Sequence, residues 1–292
     1  MSEEKIWTIL ELLRWTTEHF EKQGIETAKL DAECLLAHAL GTKRLQLYLD
    51  FEKPIHPDER ARFRELVLRR ARERVPVSQL VGSKEFWSLE LDVSSKVLCP
   101  RPETETLVEV GLSFLPDRLA EYRVLDLGTG SGAIALAVSS ERPNARVTAT
   151  DISPEALQIA RSNADKLQLS ERLRFLEGDL LRAVPGEQFD LVVSNPPYVA
   201  RRDIEGLPPE LAHEPAVALF GGDDGFEVLS RLVTGVQDAL VPGGVFAVEV
   251  APDQAERIEE ECKQTGFEEI ETLRDLARRP RVVAARKPSR PV

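Results

Sequence analysis

Along the first 75 residues, apolar side chains return every three or four positions, the period of a helix with one buried face. In EKIWTILELLRWTTEHFEKQG they fall at Ile6, Ile9, Leu10 and Leu13, and Thr17 extends the stripe. That run stops at Gly24, a residue suited to a left-handed C-cap. KLDAECLLAHALG repeats the arrangement and stops at Gly41, while HPDERARFRELVLRRARERVP opens on His56-Pro57-Asp58 and closes before Pro76. Helices joined by Gly and Pro turns predict a small helical bundle over residues 1–75. The period then changes. Within 76–100, QLVGSKEFWSLELDVSSKVLCP has a strand-like alternation around Phe86, Leu89, Leu91 and Val93, which predicts a β-hairpin linking two domains.

The remainder, 101–292, alternates strands and helices. PRPETETLVEVGLSFL predicts a helix with Pro102 near its first turn and acids at Glu103 and Glu105. RVLDLG, RVTATD, LRFLEGD, FDLVVSN and GGVFAVEV read as strands, and GAIALAVSSE, SPEALQIARSNADKL, GFEVLSRLVTGVQDAL and PDQAERIEEECKQTG as helices between or beside them. FEEIETLRD and RVVAARK read as closing strands, and the tail RKPSRPV is expected to fray. Apolar strand runs in β-α alternation predict an α/β domain with a parallel, doubly wound sheet.

Composition narrows the function classes. A chain of 292 residues with 42% apolar content can hold one large or two moderate packed domains. No segment approaches the roughly 18 apolar residues that span a bilayer. The start, MSEEKIWTIL, lacks the basic region and cleavage site of a signal peptide, so a cytoplasmic protein is expected. Cys34, Cys99 and Cys262 are far apart and form no CxxC pair, and His19, His38, His56 and His213 do not cluster with them. That pattern predicts neither a disulfide framework nor a metal site. Residues 1–75 carry 14 basic and 14 acidic side chains, whereas 76–292 carry 24 and 36, a net of −12. An acidic domain is poorly suited to gripping a phosphate backbone, so no direct nucleic-acid substrate is expected. ERARFRELVLRRARER (59–74) holds seven arginines and reads as a solvated helix face; a docking face for an acidic or RNA-containing partner is its other reading.

Two stretches carry candidate chemistry. In VLDLGTGSGAIAL, the run Gly128-Thr129-Gly130-Ser131-Gly132 falls between the first core strand and its helix, where bare backbone and free N–H groups can meet a ligand. Nineteen residues later, Asp151 ends the next strand, where a carboxylate can accept both hydroxyls of a ribose. Such a turn serves NAD, FAD and S-adenosylmethionine alike. The second stretch is SNPPY, Ser194 to Tyr198, directly after FDLVV. An amide or aromatic amine nitrogen is a poor nucleophile because its lone pair is delocalised. The Asn195 side-chain oxygen and the Pro196 carbonyl can accept its two N–H bonds, the prolines Pro196 and Pro197 fix the backbone, and Tyr198 can cover the planar face. The corner therefore points to methyl transfer to a planar nitrogen, in an amide or in adenine.

DLGTGSG resembles the first motif of Rossmann-like methyltransferases, which bind S-adenosylmethionine. By that resemblance Asp179 and Leu180 of EGDLL border the adenine. EFWSLELDVSSKVLCPRPETETLVE, FDLVVSNPPYV, HEPAVALFGGDDGFEVL and RDLARRPRVVAARK together resemble the N5-glutamine methyltransferases of peptide chain release factors, the HemK/PrmC family. The resemblance covers nearly the whole chain. It implies a class I S-adenosylmethionine-dependent methyltransferase domain with a small N-terminal helical domain that recognises the substrate protein, and transfer to the glutamine of a Gly-Gly-Gln tripeptide by a monomer. By matched positions, Gly128 to Gly132 and Asp151 hold the cofactor, Asn195 meets both ligands, and Asn195 to Tyr198 hold the glutamine. Phe86, Arg101 and Glu105 are candidates for the pocket wall, and His213 and Glu214 for ordering the loop after the corner. One departure is Ala251 in VEVAPDQ, where the family usually has glycine. An adenine-N6 DNA methyltransferase, or an enzyme for another protein's glutamine, is the alternative. An NAD-dependent oxidoreductase would want Gly-x-Gly-x-x-Gly, and a non-catalytic nucleotide binder would not need the proline corner.

Overall fold

The structure is a computed structural model that describes residues 6–289, so the end of the tail expected to fray lies outside the described residues. The chain forms two compact units. One runs through Ser83 and includes Pro209–His213; the other comprises Lys84–Pro208 and the residues from Glu214 onward.

The first unit is helical. Helix α1, Ile9–Lys22, starts at a reciprocal cap: Thr8 Oγ1 accepts the Glu11 N–H at 3.3 Å and the Glu11 carboxylate accepts the Thr8 N–H at 3.0 Å. Helix α2, Ala28–Leu40, ends at Gly41 with φ +63°. Then come α3, Arg44–Leu49, α4, Pro57–Glu73, and α5, Val77–Val81. Leu12, Phe20, Leu35, Leu36, Leu47, Phe63 and Val67 fill their core. The sequence pattern did not announce α3 and α5, because six and five residues are too few to display a helical period. The arginine-rich α4 is not wholly a solvated face. Arg70 is only 6% exposed, and it donates to Asp31 at 2.7 Å and to Glu210 at 2.8 Å.

The hairpin is shorter than the stretch that predicts it: β1 is Ser83–Phe86, β2 is Leu89–Asp92, and the preceding Val77–Val81 is α5. In the second unit a single 3-10 turn, Pro102–Thr104, leads into α6, Glu105–Ser113. The alternating elements are β3 (Arg123–Leu127), α7 (Ala133–Glu141), β4 (Arg146–Asp151), α8 (Pro154–Lys166), β5 (Leu173–Glu177) and β6 (Phe189–Ser194). They continue with α9 (Ala216–Leu219), α10 (Glu227–Gly235), β7 (Leu240–Glu249), α11 (Ala255–Gln264), β8 (Glu268–Arg274) and β9 (Pro280–Arg286). The sheet order is β5-β4-β3-β6-β7-β9-β8.

Five strands are parallel, but β9 runs antiparallel to both β7 and β8. The expectation of a parallel sheet is corrected at this edge. Only residues 275–279 join β8 to β9, enough for a hairpin and too few for a crossover. One face buries Leu107, Val108, Ile134, Leu136 and Ala164 from α6, α7 and α8. The other buries Leu229, Leu232, Val233, Ile258 and Cys262 from α10 and α11. The chain steps outward from β3 through β4 to β5, then returns to β6 on the other side of β3. At such a reversal the loops at the carboxyl ends diverge and leave a crevice. No helix among the described residues is long and apolar enough to cross a membrane.

Candidate active site

The turn after β3 is built for close approach. Gly128, Gly130 and Gly132 have φ of +73°, +56° and +85°. At Gly132 a Cβ would also crowd Leu136 at 3.1 Å and Ala160 at 3.2 Å, so this glycine serves helix packing. At Gly128 and Gly130 a Cβ would meet nothing within 4 Å, so bare backbone borders open space. Asp126 clasps the turn. It is fully buried, and its Oδ2 accepts the Thr129 hydroxyl at 2.6 Å and the Ala135 N–H at 3.2 Å. Burial pushes its carboxyl up to about 7, with those two hydrogen bonds opposing the rise. The Ser131 carbonyl accepts from Asn163 Nδ2 at 2.9 Å, and Asn163 also exchanges hydrogen bonds with the Asp92 backbone at 2.7 and 3.1 Å. One buried amide thus ties α8, β2 and the turn together.

Asp151, at the end of β4, accepts the Gly130 N–H at 2.8 Å on Oδ2 and the Ser153 N–H at 2.9 Å on Oδ1. Burial raises its pKa, and these hydrogen bonds offset part of the rise. Each oxygen keeps accepting capacity for a hydroxyl. Gly178 N–H bonds to the Asp151 carbonyl at 3.0 Å, which sets the end of β5 alongside. Asp179, next in the chain, is ion-paired with Arg231 and lies 3.7 Å from Arg182; Leu180 is left-handed and packs against the core that α10 and α11 make with the sheet. A cleft of about 430 Å³ opens here, lined by Asp179, Leu180, Arg182, Ser230, Arg231 and Thr234. Neither the glycine turn nor Asn195 lines it. Ile152, exposed beside Asp151, is an apolar neighbour that the sequence pattern did not mark, because an isolated exposed isoleucine carries no signal. A glycine cradle, a doubly accepting carboxylate and flanking apolar side chains fit a nucleoside cofactor.

The corner after β6 begins at Ser194, whose hydroxyl donates to the Leu127 carbonyl at 2.8 Å and so fastens β6 to the start of the glycine turn. Asn195 Nδ2 donates to Thr104 Oγ1 at 3.1 Å. With its nitrogen engaged, the side-chain oxygen is the end free to accept. The Pro196 carbonyl takes no backbone hydrogen bond among the described residues. The Tyr198 carbonyl is occupied by Gln254 Nε2 at 3.0 Å, and Gln254 Oε1 in turn accepts the Ala251 N–H at 3.1 Å. Gly221 and Gly225 lie against this backbone: a Cβ there would stand 2.5 Å from the Pro197 oxygen and 2.4 Å from the Tyr198 oxygen. Ala251 is not among the residues with positive φ, so alanine sits there without backbone strain. The Tyr198 hydroxyl donates to Glu249 Oε1 at 3.4 Å; burial and then the Glu249 charge push the phenol up to about 12.

The remaining candidates are held by protein groups. Phe86 is 1% exposed and packs in the core that α6, α7 and α8 make with the sheet, where it anchors the hairpin. Arg101 donates to both oxygens of Glu214 at 2.7 Å, and Glu214 also accepts the Cys99 N–H at 3.4 Å. Burial raises the Glu214 pKa, with Arg101 opposing. Glu105 accepts the Trp87 N–H at 2.8 Å. His213 belongs to the helical unit, with Nε2 on the Glu73 carbonyl at 2.6 Å. The sequence pattern did not single out Thr104, Asp126, Asn163 or Gln254 as partners of the site. Thr104 at least lies inside PRPETE; Asn163 and Gln254 sit in helical runs with nothing local to mark them.

The glycine turn, Asp151 and the proline corner lie together at the carboxyl ends of β3, β4 and β6, on the fold of a class I methyltransferase. Comparison with known proteins agrees. Residues 11–82 match the PrmC N-terminal domain and residues 103–214 the methyltransferase small domain. A release factor glutamine methyltransferase of Rhodopirellula baltica is 43% identical over 287 residues, covering 96% of this chain and 97% of that protein. One from Burkholderia pseudomallei is 45% identical over 264 residues, covering 89% and 92%. A solved methyltransferase from Pyrococcus furiosus shares the fold, with a TM-score of 0.51 at 20% identity over 68% of this chain and 89% of its own. The chain belongs to the release factor glutamine methyltransferase family.

Proposed function

We propose that this chain transfers the methyl group of S-adenosylmethionine to the side-chain amide nitrogen of the glutamine in the Gly-Gly-Gln motif of peptide chain release factors. It acts in the cytoplasm as a monomer, binds no nucleic acid directly, and uses residues 1–75 to recognise the substrate protein. The observation that carries this reading is the Asn195 amide, fixed by Thr104 at a proline corner beside the glycine turn.

S-adenosylmethionine, when bound, supplies a methyl group on a positively charged sulfur. Gly128 to Gly132 give it bare backbone, Asp151 accepts its ribose hydroxyls, and Asp179 and Leu180 border its adenine. The Asn195 oxygen and the Pro196 carbonyl accept the two N–H bonds of the substrate amide. Pro197 and Tyr198 confine its plane, and Phe86 and Arg101 act through the wall they build. With the cofactor bound, the N–C bond would form as the methyl–sulfur bond broke and released the neutral thioether, and the two fixed acceptors would stabilise the positive charge passed to the nitrogen without reorganising. The methylated nitrogen then loses a proton to water, so no side chain has to act as a base.

Labelled S-adenosylmethionine, incubated with the protein, a release factor and that factor's Gln→Ala variant, is expected to label only the first. Equal labelling of both, or of neither, overturns the substrate assignment. Asn195→Ala is expected to slow transfer by roughly 10²–10³-fold, on the scale of losing one preorganised polar contact, while cofactor binding survives. Full activity in that variant removes the mechanism.

A further inference from the structure

Two prolines make the corner stiff, but stiffness alone does not aim it. Their rings fix φ, and each proline holds the residue before it extended, so Asn195 to Pro197 moves as one rigid piece. Pro196 and Pro197 carry no N–H, so the piece cannot fasten itself by donating. Its upstream end is held by the Ser194 hydroxyl and the Asn195 amide. The downstream end has to be held through its carbonyls and from Val199 onward. There the Val199 N–H donates to the Leu219 carbonyl at 2.9 Å and the Gly221 N–H to the Val199 carbonyl at 3.0 Å. The Arg201 N–H donates to the Gly222 carbonyl at 3.1 Å. These bonds tie the corner to the loop between α9 and α10. A loop tied to a loop still needs an anchor in the framework. Gln254 supplies it, 4% exposed and directly before α11, whose Ala255, Ile258 and Cys262 pack in the core beneath the sheet. Gln254 Nε2 donates to the Tyr198 carbonyl at 3.0 Å and to the Gly225 carbonyl at 3.4 Å, so one amide grips both loops. Its orientation is forced. The Ala251 N–H, 3.1 Å from Oε1, can only donate, and the two carbonyls can only accept. Gly225 leaves room for this contact: at φ +80°, a Cβ there would run into the Tyr198 oxygen and stand 3.2 Å from Gln254 Nε2.

We propose that Gln254 is a positioning residue for methyl transfer: by pinning the Tyr198 and Gly225 carbonyls to the start of α11, it fixes the downstream end of the proline corner and so the direction of the Pro196 carbonyl. This rests on the proposed transfer to an amide nitrogen held at that corner. It adds that the corner is aimed from both ends, upstream from β6 and downstream from α11. Gln254 touches neither substrate nor cofactor and acts only through the Tyr198 backbone.

The test compares the parent with Gln254→Met and Gly225→Ala. Tyr198-Val199 is the only Tyr-Val pair in the chain. Protein carrying ¹³C at tyrosine carbonyls and ¹⁵N at valine therefore shows one coupled carbonyl–amide signal, from the carbonyl that Gln254 holds and the N–H that Leu219 accepts. Gln254→Met keeps the length of the side chain and loses both polar ends. It is expected to shift that signal and to lower kcat for a release factor by roughly 10²-fold, the loss that a small misplacement of an aligning group brings. S-adenosylmethionine should bind as tightly as to the parent, measured by calorimetry, because the glycine turn and Asp151 are untouched. Gly225→Ala presses on the same carbonyl from the other side, so it is expected to move the same signal and to slow transfer as well. If Gln254 serves only the start of α11, Gln254→Met lowers the melting temperature yet leaves the signal and kcat where they were, and that result overturns the proposal. A shifted signal with normal kcat in both variants overturns it too. The signal is read without turnover. A shift in a protein that labels no release factor therefore leaves the anchor standing and overturns only the substrate assignment.

Discussion

Asp126 shows how one side chain can serve a site and burden the fold. Its Oδ2 holds the glycine turn through Thr129 and Ala135, while its Oδ1 is buried with no hydrogen-bond partner among the described residues. Charging it inside the protein is costly, so its pKa rises to about 7 from an ordinary 3.8. A carboxyl with a raised folded-state pKa contributes stability that is fully present below its unfolded pKa and is lost as pH rises through the folded one. Asp151, Glu214 and Glu249 are raised by burial too and act in the same sense. In Glu33 and Glu210 burial also raises the pKa, but Tyr48 and Arg44, and Arg70, more than reverse it, so these two lose stability only as pH falls below the usual carboxylate range. The unliganded protein should therefore lose stability between about pH 4 and pH 8, with Asp126 contributing on the order of 4 kcal/mol. Urea titrations across that range are expected to show a markedly shallower decline in Asp126→Asn. An equal slope in both proteins would contradict this account of the buried carboxyl.

Among the elements, the β1–β2 hairpin carries visible strain. Its bend places Trp87 and Ser88 in the left-handed region, at φ +52° and +57°, in positions where tight hairpins prefer Asn-Gly. Glu105 holds the Trp87 N–H and Glu141 its indole N–H at 3.1 Å, so the tryptophan is needed where it is. Ser88 is exposed and replaceable. Ser88→Gly relieves a left-handed side chain at the expense of some unfolded-state entropy, a net gain of about 0.5–1 kcal/mol. Thermal melts should show a rise in Tm of roughly 1–2 °C; a fall would mean the turn is unstrained. That turn also marks where elements were legible. α1, α2 and α4 have two or more full turns of periodic apolar positions, and β3, β4 and β6 are apolar runs punctuated by glycine, acid or proline. α3 and α5 are too short to show a period. The antiparallel placement of β9 is a choice of tertiary partner that no local pattern contains.

Across the whole molecule, the same distinction separates motif from support. Gly128 to Gly132, Asp151 and Asn195 stand at strand ends, where punctuation in the sequence exposes them. Their partners come from afar: Thr104 lies 91 positions from Asn195, Gln254 56 from Tyr198, and Asn163 71 from Asp92. Only the completed fold brings these together. A longer span joins the helical unit, where Arg70 pairs with Asp31 at 2.7 Å and, 140 positions along the chain, with Glu210 at 2.8 Å. Glu210 belongs to the short segment, Pro209–His213, that follows the active corner in sequence and forms part of this unit. Removing the cation leaves Asp31 buried without its ion partner, whereas Glu210 keeps Arg74 at 2.8 Å. Breaking one side of a buried pair costs about 3–5 kcal/mol, because the remaining charge is stranded. Arg70→Met should therefore lower the urea midpoint of the helical signal far more than Glu210→Gln does. Adding Asp31→Leu to Arg70→Met removes the stranded carboxylate and should recover a large part of the loss. If Arg70→Met costs less than about 1 kcal/mol, within the range of an exposed pair, then Arg70 belongs after all to the solvated face of α4, and the segment 209–213 owes its place to something other than this ion pair.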